Sequence, residues 1–176
     1  MAKRVLRDGQ WVRATVESLG KEILRRRDPA SLALVGIMTR GAVIAQRIGE
    51  ALRERGTPVP VGVMDITLYR DDAGRSFPNP VVRGTEINFD VSARDIVLVD
   101  DVLFTGRTVR AAIDQIVDFG RPRRIELAVL VDRGHRELPI APDYVGERIE
   151  TKVGDFVRVR LAEIDGVDEV LLIEGC

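Results

Sequence analysis

The sequence predicts an α/β domain built on a parallel sheet flanked by helices, and two observations lead to that prediction. Apolar runs typical of strands covered on both faces alternate with amphipathic segments typical of helices. The resulting order, strand, helix, strand, helix, strand, implies parallel pairing through right-handed crossovers. A chain of 176 residues, 45% hydrophobic and 31% charged, is also expected to fold as a single domain over residues 1–176.

The individual elements follow from the hydrophobic period along the chain. The predicted helices cover about residues 10–27, 41–55 and 106–119. The predicted core strands cover residues 32–37, 59–68, 96–99 and 125–131, with short strands at 156–161 and 170–173. Residues 69–84 are polar and contain glycine, proline and asparagine, so they are expected to form a long mobile excursion.

Composition excludes several classes of protein. The formal net charge of −1 and the ordinary apolar content argue against disorder. No apolar run is long enough for a membrane helix, and the charged N-terminus has no secretory segment, so a cytoplasmic protein without a membrane partner is expected. A lone Cys176 and a lone His135 exclude an internal disulfide and a multi-histidine metal site.

Charge is unevenly distributed along the chain. Residues 1–60 carry 12 Lys and Arg against 6 Asp and Glu, a net charge of +6, whereas residues 161–176 carry 5 acids and no base. Arg outnumbers Lys 24 to 3. Genome composition or thermal adaptation explains such an excess, and so does contact with phosphate or nucleic acid. Composition leaves both explanations open.

The most distinctive motif follows the third apolar strand. Asp100 and Asp101 end this strand, and a short turn then opens a helix with Thr105, Gly106 and Thr108. A helix start offers free N–H groups, the threonines add hydroxyl donors, and the glycine lets the backbone close around an oxyanion. The carboxylates are suited to sugar hydroxyls and a divalent ion. The motif therefore predicts a site for ribose 5-phosphate, and the alternative is an ordinary capped helix.

This segment resembles the phosphoribosyl pyrophosphate (PRPP) signature of type I phosphoribosyltransferases. The chain is similar, over nearly its whole length, to the pyrimidine operon attenuation protein/uracil phosphoribosyltransferase (PyrR) family. Besides residues 99–108, the similarity rests on residues 34–41, 65–72 and 130–140. It implies the type I phosphoribosyltransferase fold, with a small hood formed by the N-terminus and by the segments after the last core strands.

The resemblance also implies a set of substrate-binding residues. They are Thr39, Arg40, Gly41, Arg83, Asp100, Asp101, Val102, Leu103, Phe104, Thr105, Gly106, Arg107, Thr108, Arg133 and Val157. Within this set Arg40 and the two aspartates are expected to be catalytic, and the aspartates are expected to hold Mg²⁺ together with PRPP. The loop of residues 39–41 is expected to bind pyrophosphate. In the hood loop of residues 69–84, Arg70, Arg75 and Arg83 are candidates to reach the pyrophosphate when the loop closes. A surface charge is the favoured alternative for Arg75, and Arg83 matches a family position implicated in substrate binding.

The nucleobase is expected against the loop that follows the fourth core strand. The resemblance implies that base recognition involves Val131, Arg133, Arg136, Leu138 and Pro139. A turn role is favoured over acid–base chemistry for the lone His135. Purine-salvage relatives carry an acid where this chain has Phe104, so uracil, whose N1 proton is more acidic, is the expected base. Catalysis then reduces to charge neutralisation and to orientation of an oxocarbenium-like centre.

Two functions compete. One is an enzyme that converts uracil and PRPP to UMP and diphosphate. The other is a regulator whose binding to pyr operon leader mRNA, promoted by uridine nucleotides such as UMP and UTP, causes transcription termination. The family implies both, together with a homodimer or a higher oligomer, and the alternative is a salvage enzyme alone. The residues expected to bind RNA are Arg13, Lys21, Arg26 and Lys152.

The RNA-binding expectation is weakened by departures from the family pattern. Relatives that bind the leader RNA tend to carry a Thr-Arg pair and a His on the first helix, where this chain has Glu17, Ser18 and Lys21. Ala141 and Glu147 replace common basic residues further along. Glu17 would place a negative charge beside RNA phosphates, so RNA binding needs a direct test.

Overall fold

Two sheets organise the chain in a computed structural model that describes residues 2–69 and 84–175. A five-stranded sheet has the order β3-β2-β4-β5-β6, and all of its neighbouring strands are parallel. Its strands are β2 (Leu32–Ile37), β3 (Val61–Met64), β4 (Asp95–Leu103), β5 (Arg124–Asp132) and β6 (Tyr144–Arg148). The predicted parallel sheet is therefore confirmed.

The helices cover both faces of this sheet. They are α1 (Gly9–Arg26), α2 (Arg40–Glu54) and α3 (Arg107–Asp118). Side chains of α1 and α2 pack with Leu32 and Leu34 in one core cluster, and those of α3 pack with Ala33 and Val35 in another. Alternate residues of β2 therefore face opposite helical layers, which is why that strand is apolar throughout.

A three-stranded antiparallel sheet forms the hood, with the order β1-β8-β7. Its strands are β1 (Lys3–Arg7), β7 (Phe156–Arg160) and β8 (Glu169–Ile173), and the short helix α4 (Ala162–Asp165) connects the last two. Lys3 pairs with Ile173, so the two ends of the described chain lie side by side. The buried side chains of Val159, Leu161 and Val170 join the core cluster on the α1 side, which confirms the predicted hood.

Several predicted boundaries were wrong. The strand predicted at residues 59–68 is limited to β3, because Asp65 turns inward and accepts the amide of Thr67. The strand predicted at residues 96–99 extends to Leu103, so it includes both aspartates. On α1, Val12, Val16, Leu19 and Ile23 are buried, and Trp11 and Leu24 pack against the same core cluster while remaining partly exposed. No helix among residues 2–69 and 84–175 combines the length and apolarity needed to cross a membrane.

Candidate active site

The predicted pyrophosphate loop lies against the carboxyl end of the central strand. β2 and β4 are parallel neighbours, with Gly36 paired to Val99, and the loop after β2 leads directly into α2. A side chain at Gly41 would collide with the carbonyl oxygen of Val99, so glycine permits this close approach. Thr39 is the exposed N-cap residue of α2, and its hydroxyl makes no capping hydrogen bond. The free N–H groups of the helix start therefore lie beside Asp100.

Asp100 and Asp101 occupy the carboxyl end of β4. Asp100 is buried, and the backbone N–H of Asp101 donates to its Oδ1 at 2.9 Å. Burial raises the pKa of Asp100 well above its usual value, and the charge of Asp101 raises it further. Burial also raises the pKa of Asp101, although hydrogen bonds and the charge of Arg40 oppose that shift. Two carboxylates are thus held close together where neither is well solvated, an arrangement typical of functional sites.

This pair fits the needs of a magnesium ion that arrives with a phosphorylated sugar. Among residues 2–69 and 84–175, no group of three or more His, Cys, Asp or Glu side chains could hold a metal. Mg²⁺ commonly uses only one or two protein carboxylates and takes its other oxygen ligands from phosphates and water. The donor set of Asp100 and Asp101 is therefore compatible with Mg²⁺ bound together with substrate, and it does not form a complete protein cage.

The segment predicted to bind the phosphate of ribose 5-phosphate is a turn at the start of α3. Gly106 is the N-cap residue and has φ +92°, a conformation that favours glycine. The backbone N–H of Arg107 donates to Oγ1 of Thr105 at 3.3 Å. Thr108 lies in the first turn of α3, whose N-terminal amides face the same end of the sheet as Asp100. The turn thus brings together the residues predicted to bind the 5′-phosphate, and Val102 and Leu103 supply the preceding backbone.

Arg136 ties the predicted base-recognition loop to this turn. Its guanidinium donates to the carbonyl of Phe104 at 2.8 Å, to the carbonyl of Ile140 at 3.0 Å and to Oδ1 of Asp132 at 2.6 Å. The amides of residues 137 and 138 donate to the carbonyl of Thr105 at 3.0 and 3.2 Å. Arg136 was predicted to recognise the base. In the structure its guanidinium donors instead bind groups within the protein and so shape the loop. Val131 is buried in β5, Leu138 is half-buried and Pro139 is exposed.

Arg133 lies under the ring of Phe104. Its side chain is buried, and its Cζ is 4.0 Å from the centroid of that ring. Burial lowers the pKa of Arg133, while the charge of Asp155 opposes the shift. Within the described residues its Nε has no hydrogen-bond partner, and its Nη2 donates to the carbonyl of Lys152 at 3.4 Å. A buried donor without a partner is rare and favours a ligand or water at this point.

His135 stabilises the turn next to Arg133. It has φ +60°, and its Nε2 lies 2.8 Å from the carbonyl oxygen of Thr151. This contact joins the loop after β5 to the loop after β6 and agrees with the favoured turn role. A cavity of about 480 Å³ opens between the two loops; it is lined by residues 132–135 and 148–151.

Arg40 points toward the hood. Its Nε donates to Oδ2 of Asp165 at 3.2 Å, and its Nη2 donates to Oδ1 at 2.8 Å. Val157 belongs to the hood strand β7 and packs against the core cluster on the α1 side. Arg70, Arg75 and Arg83 lie outside the described residues, so their predicted roles stay predictions.

The residues expected to bind RNA are accessible, but most have acidic neighbours. On α1, the charged atoms of Arg13 and Lys21 lie 4.0 Å from carboxylates of Asp168 and Glu17. Arg26 donates to Glu22 at 2.8 Å, and its Cζ lies 4.9 Å from the ring centroid of Tyr144 on β6. Lys152 is exposed, and Glu147, one of the departures from the family pattern, is paired with Arg7.

Sequence reasoning missed two residues that organise the site. Asp132 is a buried acid at the carboxyl end of a core strand, as Asp100 is, and this position was a signal that could have revealed its role. Asp165 gave no such signal, because its partner Arg40 is 125 positions away.

Comparison with known proteins agrees with this geometry. The family model for the phosphoribosyl transferase domain matches residues 6–164. A protein of Roseiflexus sp. (strain RS-1) named Bifunctional protein PyrR is 52% identical, with 98% of this chain and 96% of the relative covered. A protein of the same name from Chloroflexus aurantiacus is 57% identical over 145 residues, which cover 82% of this chain and 80% of the relative.

Solved structures show the same fold at low sequence identity. A hypoxanthine phosphoribosyltransferase from Staphylococcus aureus superposes with a TM-score of 0.73 at 18% identity, covering 97% of this chain and 92% of that one. The family model and the shared fold place the chain among the type I phosphoribosyltransferases. Within that class, the identity to full-length relatives shows that the chain belongs to the PyrR family.

Proposed function

We propose that this chain binds PRPP and uracil and forms UMP and diphosphate. The carrying observation is the adjacent pair of the buried Asp100 and the half-buried Asp101, placed between the start of α2 and the start of α3. Asp100 and Asp101 accept hydrogen bonds from the ribose hydroxyls. The turn of residues 105–108 holds the 5′-phosphate, and the loop of residues 39–41 holds the pyrophosphate.

Catalysis in this proposal rests on charge and position. Departure of pyrophosphate leaves positive charge at the ribosyl centre, and the carboxylates of Asp100 and Asp101 stabilise it. Asp100 and Asp101 would hold Mg²⁺ together with PRPP, and the ion would supply charge neutralisation at the leaving group. Arg40 and the amides at the start of α2 stabilise the same leaving group. Arg83, from the hood loop, is proposed to complete this contact.

Uracil is the proposed acceptor. Phe104 has no proton to exchange with a purine nitrogen, and the unpartnered Nε of the buried Arg133 can donate to a carbonyl oxygen of a pyrimidine. We propose that Val131, Leu138 and Pro139, which lie in or beside the loop shaped by Arg136, pack around the base, and that Val157 of the hood strand β7 completes its site.

The same chain is proposed to regulate pyrimidine synthesis by binding pyr operon leader mRNA when UMP or UTP occupies the nucleotide site. Transcription termination follows from that binding. Arg13, Lys21 and Arg26 on α1 provide a basic surface, joined by Lys152, that is separate from Asp100 and Asp101. We also propose that the chain works in the cytoplasm as a single domain, assembled as a homodimer or a larger homo-oligomer.

Two assays test these proposals. The first follows UMP formed from uracil and PRPP with Mg²⁺; absence of product would reject the enzyme. The second measures retention of leader RNA on filters with and without UMP. UMP-dependent retention is expected. If the enzyme is active and RNA is not retained at either UMP level, the chain is a salvage uracil phosphoribosyltransferase alone.

A further inference from the structure

We infer that Asp165, in the short hood helix α4, is a positioning residue that orients Arg40 for the pyrophosphate group. The inference rests on the proposed function, because it needs pyrophosphate at residues 39–41. Asp165 receives two hydrogen bonds from one edge of the Arg40 guanidinium, at 3.2 Å to Nε and 2.8 Å to Nη2. Such a two-point contact fixes the plane of the guanidinium as well as its position.

The contact leaves the opposite edge of Arg40 available to substrate. Asp165 engages Nε and Nη2, whereas Nη1 donates no hydrogen bond within the described part of the chain. A guanidinium carries five N–H donors in a rigid fork, so one anion at one edge does not prevent a second anion at the other. Arg40 can therefore hold Asp165 and a phosphate oxygen at the same time.

Asp165 is itself held firmly in place. Its Oδ2 also accepts the backbone N–H of Leu161 at 3.0 Å, and its own carbonyl accepts Nη2 of Arg160 at 3.1 Å. The hydrogen bonds from Arg40 lower the pKa of Asp165, so the carboxylate is charged at neutral pH. An immobile, charged acceptor restricts a flexible arginine to one orientation before substrate binds, which reduces the entropy lost on binding.

A simple docking role for the pair is disfavoured by a second contact between the same elements. Arg47 lies about two turns further along α2. Its guanidinium donates to Glu163 at 2.8 Å and to Asp168 at 2.8 and 3.0 Å. This contact already fastens the hood to α2, away from the loop that precedes the helix. The Arg40 contact repeats this chemistry at the first residue of α2, which lies within the pyrophosphate loop of residues 39–41.

The test compares Asp165→Asn with the matched control Asp168→Asn. Asp165→Asn is expected to raise KM for PRPP about tenfold, as expected from a charge-assisted contact, while kcat stays within about twofold. Calorimetry with inorganic pyrophosphate and Mg²⁺ is expected to show a similar loss of affinity. Asp168→Asn is expected to lower Tm and to leave both measurements unchanged. Asp165→Glu is expected to restore part of the affinity.

Further variants decide how the effect arises. In an Arg40→Gln background, Asp165→Asn is expected to change nothing more, because Asp165 acts through Arg40. Equal effects of Asp165→Asn and Asp168→Asn, additive effects with Arg40→Gln, or a lower KM in Asp165→Asn would each overturn the inference. An effect of Arg40→Gln without an effect of Asp165→Asn would overturn it and leave the proposed function standing. If Arg40→Gln itself changes neither KM for PRPP nor pyrophosphate affinity, the proposed role of Arg40 is wrong, and the inference about Asp165 is overturned with it.

Discussion

The guanidinium of Arg133 lies 4.0 Å from the centre of the Phe104 ring and joins the loop after β5 to the loop after β4. One residue follows the strand that carries the two aspartates, and the other follows the neighbouring parallel strand. A planar cation over an aromatic face is stabilised by the ring quadrupole, more so when it is desolvated. The contact therefore fixes a buried donor beside the predicted sugar site, where a nucleobase would be attached.

Phe104→Leu tests the importance of this contact. Loss of the ring frees Arg133, so KM for uracil is expected to rise about fivefold to thirtyfold, which corresponds to a cation–π contact of about 1–2 kcal/mol. KM for PRPP is expected to stay unchanged. Steady-state kinetics with each substrate varied in turn measures both constants. Phe89→Leu is the control, since Phe89 lies 5.8 Å from Arg94 elsewhere on the protein. An equal rise of both constants would contradict the assignment.

Asp101→Ala separates activity from stability. Loss of the carboxylate is expected to reduce UMP formation at least a hundredfold and to weaken PRPP binding, because charge at the ribosyl centre is no longer stabilised. Tm is expected to equal or exceed that of the parent protein, since burial raises the pKa of this group and so disfavours its charged form. Turnover and thermal unfolding are measured on the same sample, and unchanged turnover would refute the catalytic assignment.

Arg136→Met tests how much the hydrogen bonds of Arg136 stabilise the loop after β5. The substitution removes hydrogen bonds to Phe104, Ile140 and Asp132, and the last of these is a buried acid. The free energy of unfolding is expected to fall by about 1–3 kcal/mol, because the buried Asp132 loses a charge-assisted hydrogen bond although it keeps the amide of Gly134. Urea unfolding measures this value. Arg110→Met removes only an exposed ion pair with Asp114, so a change below about 0.5 kcal/mol is expected there.

The candidate substrate motifs could be recognised in the sequence because each occupies a short stretch of chain. The aspartate pair, the Thr-Gly turn and the start of α3 are consecutive, and the apolar run before them identifies the strand. The core strands β2 and β5 were recognised for the same reason, since both are buried between helical layers.

The remaining features depend on contacts between distant residues. Residues 144–148 form the parallel edge strand β6, which the pattern did not reveal because only Tyr144 is fully buried and the other side chains are polar or half-buried. Strand β1 has two arginines and a lysine among five residues, and it is a strand because β8 supplies its partner. The pairing of Arg40 with Asp165 is invisible locally for the same reason.

A pH-dependent effect is expected at Asp95. Its buried carboxylate accepts hydrogen bonds from Nε of Arg123 at 2.8 Å and from Nη2 at 2.6 Å. These hydrogen bonds lower the pKa of Asp95 below its usual value. The pKa in the unfolded chain is about 3.9, so the stabilisation is complete above that pH and is lost as pH falls through the folded value.

Asp95→Asn is accordingly expected to destabilise the fold by about 1–3 kcal/mol at pH 7, with a difference from the parent that shrinks below about pH 4. Urea unfolding across this pH range measures the difference. Asp114→Asn, at an exposed ion pair, is expected to have little effect at any pH. A constant difference from pH 7 to pH 3 would show that the charge of Asp95 is not responsible.

RNA binding is tested on the two basic residues of α1 that have the weakest acidic contacts. Arg13→Glu combined with Lys21→Glu is expected to reduce leader-RNA affinity at least tenfold. The slope of log affinity against log salt concentration is expected to become shallower by the equivalent of about one phosphate contact for each residue. UMP synthesis is expected to stay unchanged. Filter binding at several salt concentrations measures both effects. Arg26→Glu is expected to act similarly, but it also removes the stacking on Tyr144.

Arg110→Glu is the control for this experiment, because α3 covers the opposite face of the sheet from α1. RNA affinity that is equally reduced by the control would indicate a nonspecific charge effect. Competition between UMP and RNA for one site would contradict the separate surfaces proposed above.

The pairing order of the hood also constrains how the protein can fold during synthesis. β8 is the middle strand of the hood sheet, and β1, at the opposite end of the described chain, has no other partner in that sheet. On the ribosome β1 is made before the other strands, yet it can join its sheet only after β8 has emerged. The parallel sheet can begin to form before then, whereas the hood residues, including Asp165, take up their final positions late.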